Sequence, residues 1–246
     1  MNYFQFFGCL VVGIASGLIG AIAGGGGLLS IPFLIFLGVP PQITLATNKF
    51  SGLGMSAGAT FKFIKERKVV WKFALVLVVA GVSASFIGAR ILITTDQMLL
   101  QKMIGVLLLL LTPTIFFKPS FGLKKIKVSN SKMVVGTIIY FALSILASFF
   151  GGIGMLMIPT VIYFFGLQFI EANATDLIGF SLLSLSASII FMVHGLVNYY
   201  FGFILMAGML LGGYIGAHIA IQKGDKFVKI VFALVVIASA LKILIK

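Results

Sequence analysis

Two short polar stretches interrupt otherwise apolar surroundings in this chain, Ala46-Thr47-Asn48-Lys49 and Ala174-Thr175-Asp176. Each sits a few residues inside an apolar segment, so a membrane span built from that segment carries its polar groups below the surface. A charged side chain at depth costs about 2.5 to 3.5 kcal/mol on insertion scales, which makes such a residue a functional candidate by default. Lys49 could attract an anion. Thr47, Asn48 and Thr175 could donate hydrogen bonds to the same anion, and Asp176 could act as its counter-ion or as a titrating group that couples a proton. Structural roles compete with these: a Lys49 that snorkels to the nearer interface, and an Asp176 that pairs with Lys49 or caps a helix.

A second constellation is made of glycine. Gly24-Gly25-Gly26-Gly27 and Gly151-Gly152-Ile153-Gly154 each interrupt a long apolar run. A glycine costs a helix about 1 kcal/mol relative to alanine, so the helix should break at both runs. Backbone groups freed in hydrocarbon survive only when buried in protein or lining a wet cavity, and two such breaks predict a shared central one. Helices that restart there present N-terminal amides and a positive dipole end, a ready anion site. Pro32 and Pro159, downstream of the runs, predict further local breaks. The spaced pairs Gly13/Gly17, Gly20/Gly24, Gly208/Gly212 and Gly212/Gly216 are read more simply as close-packing faces. The candidate substrate-binding set is Gly24, Gly25, Gly26, Gly27, Thr47, Asn48 and Lys49 with Gly151, Gly152, Gly154, Thr175 and Asp176.

The elements that must position these groups are membrane helices. Of 246 residues 61% are hydrophobic and 9% charged, against about 25% charged in a soluble domain. A span needs roughly 20 residues, which bounds the count at about eight to ten passes. The apolar runs are continuous, not alternating, which argues against an outer-membrane barrel. They fall near 4–22, 25–37, 43–61, 73–93 and 98–117, and again near 133–150, 152–165, 172–192, 200–221 and 226–244. The two sets are related. At an offset of 127, Gly24-Gly25-x-Gly27 with Ile31-Pro32 falls on Gly151-Gly152-x-Gly154 with Ile158-Pro159. At 128, Gly38, Ala46, Thr47 and Ile87-Gly88-Ala89 fall on Gly166, Ala174, Thr175 and Ile215-Gly216-Ala217. The chain reads as an all-α polytopic protein of two homologous halves, 1–118 and 133–246, joined by a basic linker at 119–132.

Charge sets the orientation. The 18 Lys and Arg exceed five acids to give +13, which in a soluble protein would suggest nucleic acid; here it collects in loops and reads as topological signal, with no nucleic-acid partner. The 62–72 loop carries Lys62, Lys65, Arg67, Lys68 and Lys72 while its counterpart at 190–200 carries none; the 94–97 turn is bare while its counterpart holds Lys223 and Lys226. Equivalent loops therefore face opposite sides, as an inverted repeat requires, with the 62–72, 118–132 and 222–229 loops cytoplasmic and both termini outside. Five short passes per half satisfy the odd crossing number, and so does a re-entrant hairpin plus three crossings. No basic residue precedes Lys49, so a cleaved signal peptide is not expected.

Other residues carry less. Cys9 stands alone and allows neither a disulfide nor a metal cluster. Arg90 and His218 read as interfacial anchors, His194 as a loop residue, and Trp71, Tyr199 and Tyr200 as an aromatic belt. No His-Glu-x-x-His, paired-aspartate motif or P-loop occurs, so no metal, cofactor or ATP-driven chemistry is called for. Gly54-x-Ser56-x-Gly58 matches a nucleophile elbow, but inside an apolar helix and not at a strand-to-helix turn.

The duplicated Gly-Gly-x-Gly with its downstream Pro, the Ala-Thr-Asn-Lys stretch, Gly195-x-Val197-Asn198-Tyr199 and the Ile-Gly-Ala segments together resemble the sulfite exporter TauE/SafE family, also called TSUP, from about Gly13 to Leu244. The resemblance implies a plasma-membrane transporter of small sulfur-containing or organic anions such as sulfite, sulfoacetate or related sulfonates. Asn48-Lys49 is answered by Asp176-Leu177, so the central site should be electrostatically lopsided. The leading expectation is a non-enzymatic secondary transporter that exports such an anion by alternating access; an anion channel through the same cavity and a non-transporting scaffold stay open as alternatives. A coupling proton or ion and a homo-oligomer are compatible with the sequence.

Overall fold

A computed structural model describes residues 3–96, 98–100 and 122–244. The fifth apolar segment of the first half, near 98–117, lies almost wholly outside the described residues. The described chain is all helix and turn: α1 (Tyr3–Ala23), α2 (Gly27–Phe36), α3 (Pro41–Lys65), α4 (Trp71–Thr94), α5 (Asn130–Ala147), α6 (Gly154–Phe165), α7 (Phe169–Val193) and α8 (Tyr199–Leu244), the last broken at Gly224. Among these, α1, α4, α5, α7 and α8 are long and apolar enough to cross a membrane. α3 is as long as α7, at 25 residues, but carries the polar residues of the candidate site. α2 and α6 have 10 and 12 residues, about 15 to 18 Å at helical rise, and fall well short of a hydrocarbon core of about 30 Å.

The short helices fold back. Gly26 lies against Ser16 and Gly20, and Phe33 of α2 reaches Gly8 near the start of α1. Phe164 of α6 packs on Gly136 of α5 in the same way. Each half thus opens with a helical hairpin, a long helix, a glycine-rich tip and a short return helix, the arrangement expected of re-entrant segments. Gly24 makes the first tip at φ +73°, a conformation open to glycine at little cost. The second tip begins earlier: α5 stops at Ala147, three residues before Phe150, the counterpart of Ala23. The further breaks expected at Pro32 and Pro159 do not occur. Each proline is the sixth residue of its helix, which runs on through it; the missing N–H removes one internal bond, a loss that packed neighbours tolerate.

Corresponding helices have corresponding partners. α1 packs on α8 and α5 on α4; α3 packs on α8 and α7 on α4; α3 and α7 pack on each other. Gly216 of α8 abuts Leu18 and Ala21, while Gly88 of α4 abuts Ile145 and Ser148, the same pair 127 positions on. Gly13, Gly17, Gly208 and Gly212 bring the α1 and α8 backbones together, as small residues at such spacing do.

Hydrogen bonds gather the loops at two ends. The first turns of α7 receive all three lysine-rich connections: Val70 N–H donates to Thr175 Oγ1 (3.1 Å), Phe169 N–H to Gly122 O (2.9 Å) and Ile170 N–H to Asp225 Oδ1 (2.8 Å). Lys125 adds an ion pair to Glu171 at 2.7 Å. At the other end Gln42 donates to Leu92 O and Ile93 O, and Asn198 N–H donates to Thr47 Oγ1 at 2.9 Å.

Candidate functional site

The two hairpin tips meet backbone to backbone. A Cβ on Gly24 would stand 2.6 Å from the Gly154 carbonyl carbon, and one on Gly27 would stand 2.7 Å from that of Gly151. Gly24 corresponds to Gly151 and Gly27 to Gly154, so the two contacts are images of one another. No side chain fits at this junction. Beside it lies a cavity of about 30 Å³, room for about two waters.

Glycines of both tips line this cavity, Gly24, Gly26 and Gly27 with Gly151 and Gly154, together with Asn48, Lys49 and Gly52 of α3 and Asp176, Leu177 and Phe180 of α7. Gly25 and Gly152 belong to the tips but do not line it. Asn48 accepts a 2.5 Å hydrogen bond from Ser30 Oγ at its Oδ1 and turns its Nδ2 toward Gly151. Lys49 is 2% exposed, so it does not snorkel. Its ammonium donates to the carbonyl of Ala147, the last residue of α5, and lies 4.3 Å from the centroid of the Phe180 ring. A cation at a helix C-terminus is favoured by the dipole, and the ring face adds to it. Neither contact neutralises the charge. No carboxylate lies within 4.0 Å of Lys49 Nζ among the described residues, so Asp176 is not its ion-pair partner. Asp176, 4% exposed, lies seven residues into α7 and caps no helix; its Oδ1 has no hydrogen-bond partner.

The structure places the duplicated threonines elsewhere. Thr47 and Thr175 are fully buried and do not line the cavity. Their hydroxyl oxygens accept the N–H of Asn198 and of Val70, the residues that precede α8 and α4. The two acceptors are 128 positions apart and so are the two donors. Ser56, of the apparent nucleophile elbow, is buried mid-helix, and its flanking Gly54 and Gly58 pack on Met206 and Leu210. Arg90 and His194 are exposed and His218 is half-buried, all away from the cavity.

Sequence reasoning missed Ser16, Asn173 and Ser184, which also line it. Asn173 Nδ2 donates to Ala21 O at 2.6 Å and Ile22 O at 3.2 Å, tying α7 to the end of α1. Ser184 was legible: Asp176, Phe180 and Ser184 follow one another at four-residue spacing, as Asn48, Gly52 and Ser56 do on α3.

With this geometry, comparison with known proteins gives the class. The chain matches the sulfite exporter TauE/SafE family over residues 9–243 and belongs to it. It is 31% identical to a probable membrane transporter protein of Haemophilus influenzae over 223 residues, 89% of this chain and 86% of that protein. It is 28% identical to the probable membrane transporter protein ORF9 of Sinorhizobium sp, covering 95% and 90%, and 25% identical to YunE of Bacillus subtilis, a probable membrane transporter protein, covering 93% of each. No solved structure matches the chain. The protein is a multi-pass membrane transporter of the TauE/SafE type.

Proposed function

We propose that the chain is a secondary transporter that exports sulfite or a sulfonate-type anion across the plasma membrane by alternating access, one half moving against the other as an inverted repeat. The observation that carries this reading is Lys49: a buried ammonium, without a carboxylate within 4.0 Å among the described residues, at a cavity flanked by the first turns of two broken helices. A buried charge without a counter-charge is costly, and a transported anion supplies one. The N-terminal ends of α2 and α6 add positive dipole at the same place. Asn48 Nδ2 and the glycine backbone supply hydrogen-bond donors without bulk. The lysine-rich end, where the 62–72, 122–129 and 222–229 segments gather on α7, is the cytoplasmic one, and the N-terminus lies outside.

The test is uptake and counterflow of labelled sulfite and a short sulfonate panel in proteoliposomes. Wild type should concentrate the anion against its gradient, which a channel cannot do. Lys49→Ala should lower flux at least tenfold; unaltered flux in that variant removes Lys49 as the anion's partner. A scaffold would show no saturable flux with any member of the panel.

A further inference from the structure

We propose that the central cavity also binds a monovalent alkali cation, sodium, through oxygens of Ser16, Asn173, Asp176 and Ser184, beside the anion position at Lys49. The inference rests on reading the cavity as the transport site. Three of the four residues hold a buried oxygen without a hydrogen-bond partner: Asp176 Oδ1, Ser16 Oγ and Ser184 Oγ. All four line the same cavity. A buried serine on a helix often returns its hydroxyl to the carbonyl four residues back, as Ser51 and Ser148 do here. Ser16 and Ser184 do not, nor do Ser56, Ser144 and Ser188, but of these five only Ser16 and Ser184 line the cavity; an oxygen left so is costly in the interior. Asn173 commits its Nδ2 to the carbonyls of Ala21 and Ile22, which leaves its Oδ1 as the free acceptor.

The donor set is all oxygen, the choice of hard cations, with neither imidazole nor thiolate to favour a transition metal. The charge count fixes the valence. Lys49 and Asp176 cancel when both are charged, so a monovalent cation bound together with a monovalent anion leaves the cavity neutral, whereas a divalent cation leaves an excess positive charge. At about 30 Å³ the cavity as it stands takes one dehydrated ion and about one water, so the anion enters only when the halves part and the site widens. A proton would engage the carboxylate alone and leave both serine hydroxyls without partners. The set is drawn from both halves and is not duplicated, since the counterparts of Ser16, Asn173, Asp176 and Ser184 are Leu143, Leu45, Asn48 and Ser56. The cavity therefore divides opposite charges between its halves: the counterpart of Lys49 is Leu177.

The experiment measures binding of ²²Na⁺ to the purified transporter in detergent, together with its thermal unfolding in sodium chloride against choline chloride at equal ionic strength. Wild type should bind sodium saturably and gain Tm in sodium alone. Ser184→Ala and Ser16→Ala should each weaken apparent sodium affinity about 5- to 10-fold, one lost ligand apiece, and Asp176→Asn should abolish binding. The serine variants delete only partnerless hydroxyls, so they stay informative if Asp176→Asn does not fold. Unchanged sodium affinity in Ser184→Ala and Ser16→Ala overturns the site. So does wild-type protein that carries sulfite under a proton gradient but neither binds sodium nor is stabilised by it, and that result leaves the transporter reading standing. Sodium binding in a protein that moves no anion upholds the site and removes the transporter reading instead.

Discussion

Thr47 and Thr175 show how residue type alone misleads. Both stand beside the ionisable candidates, and a threonine next to a buried charge reads as a donor to a ligand. Their oxygens instead accept backbone N–H groups 151 and 105 residues away, partners that no local pattern reveals. Asn48, Lys49 and Asp176 were legible because a polar or charged group in an apolar helix needs a reason at that position whatever the fold. The threonine pair makes a prediction that separates anchoring from ligand binding. Thr175→Val leaves the half-buried Val70 N–H without its acceptor and should cost about 1 kcal/mol, as should Thr47→Val at the half-buried Asn198. Thr175→Ser should recover most of that loss because it keeps the oxygen. Thermal unfolding in detergent reads both; a Thr175→Val protein as stable as wild type would show that the bond is not needed.

At the scale of elements, the hairpins follow from composition where glycine dictates them and from tertiary contact where it does not. The Gly24–Gly27 run announces its own break. The early end of α5 has no such mark, since Ala147-Ser148-Phe149-Phe150 contains no helix breaker. There the Ala147 carbonyl, which a continued helix would offer to the N–H of residue 151, receives the Lys49 ammonium instead. A side chain 98 residues away thus takes the carbonyl at which the helix ends, just before Gly151-Gly152. The length of α2 and α6, and so the choice between hairpin and full crossing, depended on where the return helices end, which apolar composition does not signal. Gly24 and Gly195 offer a paired test. Both have positive φ, +73° and +68°, but a Cβ on Gly24 would strike Gly154 while one on Gly195 would meet nothing within 4 Å. Gly195→Ala should lose about 1 to 2 kcal/mol from backbone strain alone. Gly24→Ala should lose several kcal/mol more or fail to fold, because backbone on both sides must part. Equal Tm losses would mean that the tips are not in contact.

At the scale of the molecule, the offset of 127 to 128 and the exchange of charged loops were both visible in the sequence, and helix partners repeat in the same order. Sidedness is tested by labelling. In a Cys9→Ser background, Lys127→Cys and Lys223→Cys should react with a membrane-impermeant maleimide only from the cytoplasmic face, and His194→Cys only from outside. Labelling of all three from one face would refute the inverted arrangement. The meeting of the two tips also has a consequence for synthesis. When the first half has left the ribosome, the Gly24–Gly27 backbone faces a site that only Gly151 and Gly154 can close, Lys49 lacks the Ala147 carbonyl, and Thr47 lacks Asn198. Polar groups without partners are poorly tolerated in lipid, so the first half is an unfinished intermediate that waits for the second. Release of the nascent chain before about residue 200 should leave a fragment for membrane quality control, and the contact between the tips binds the two stretches into a single unit of assembly.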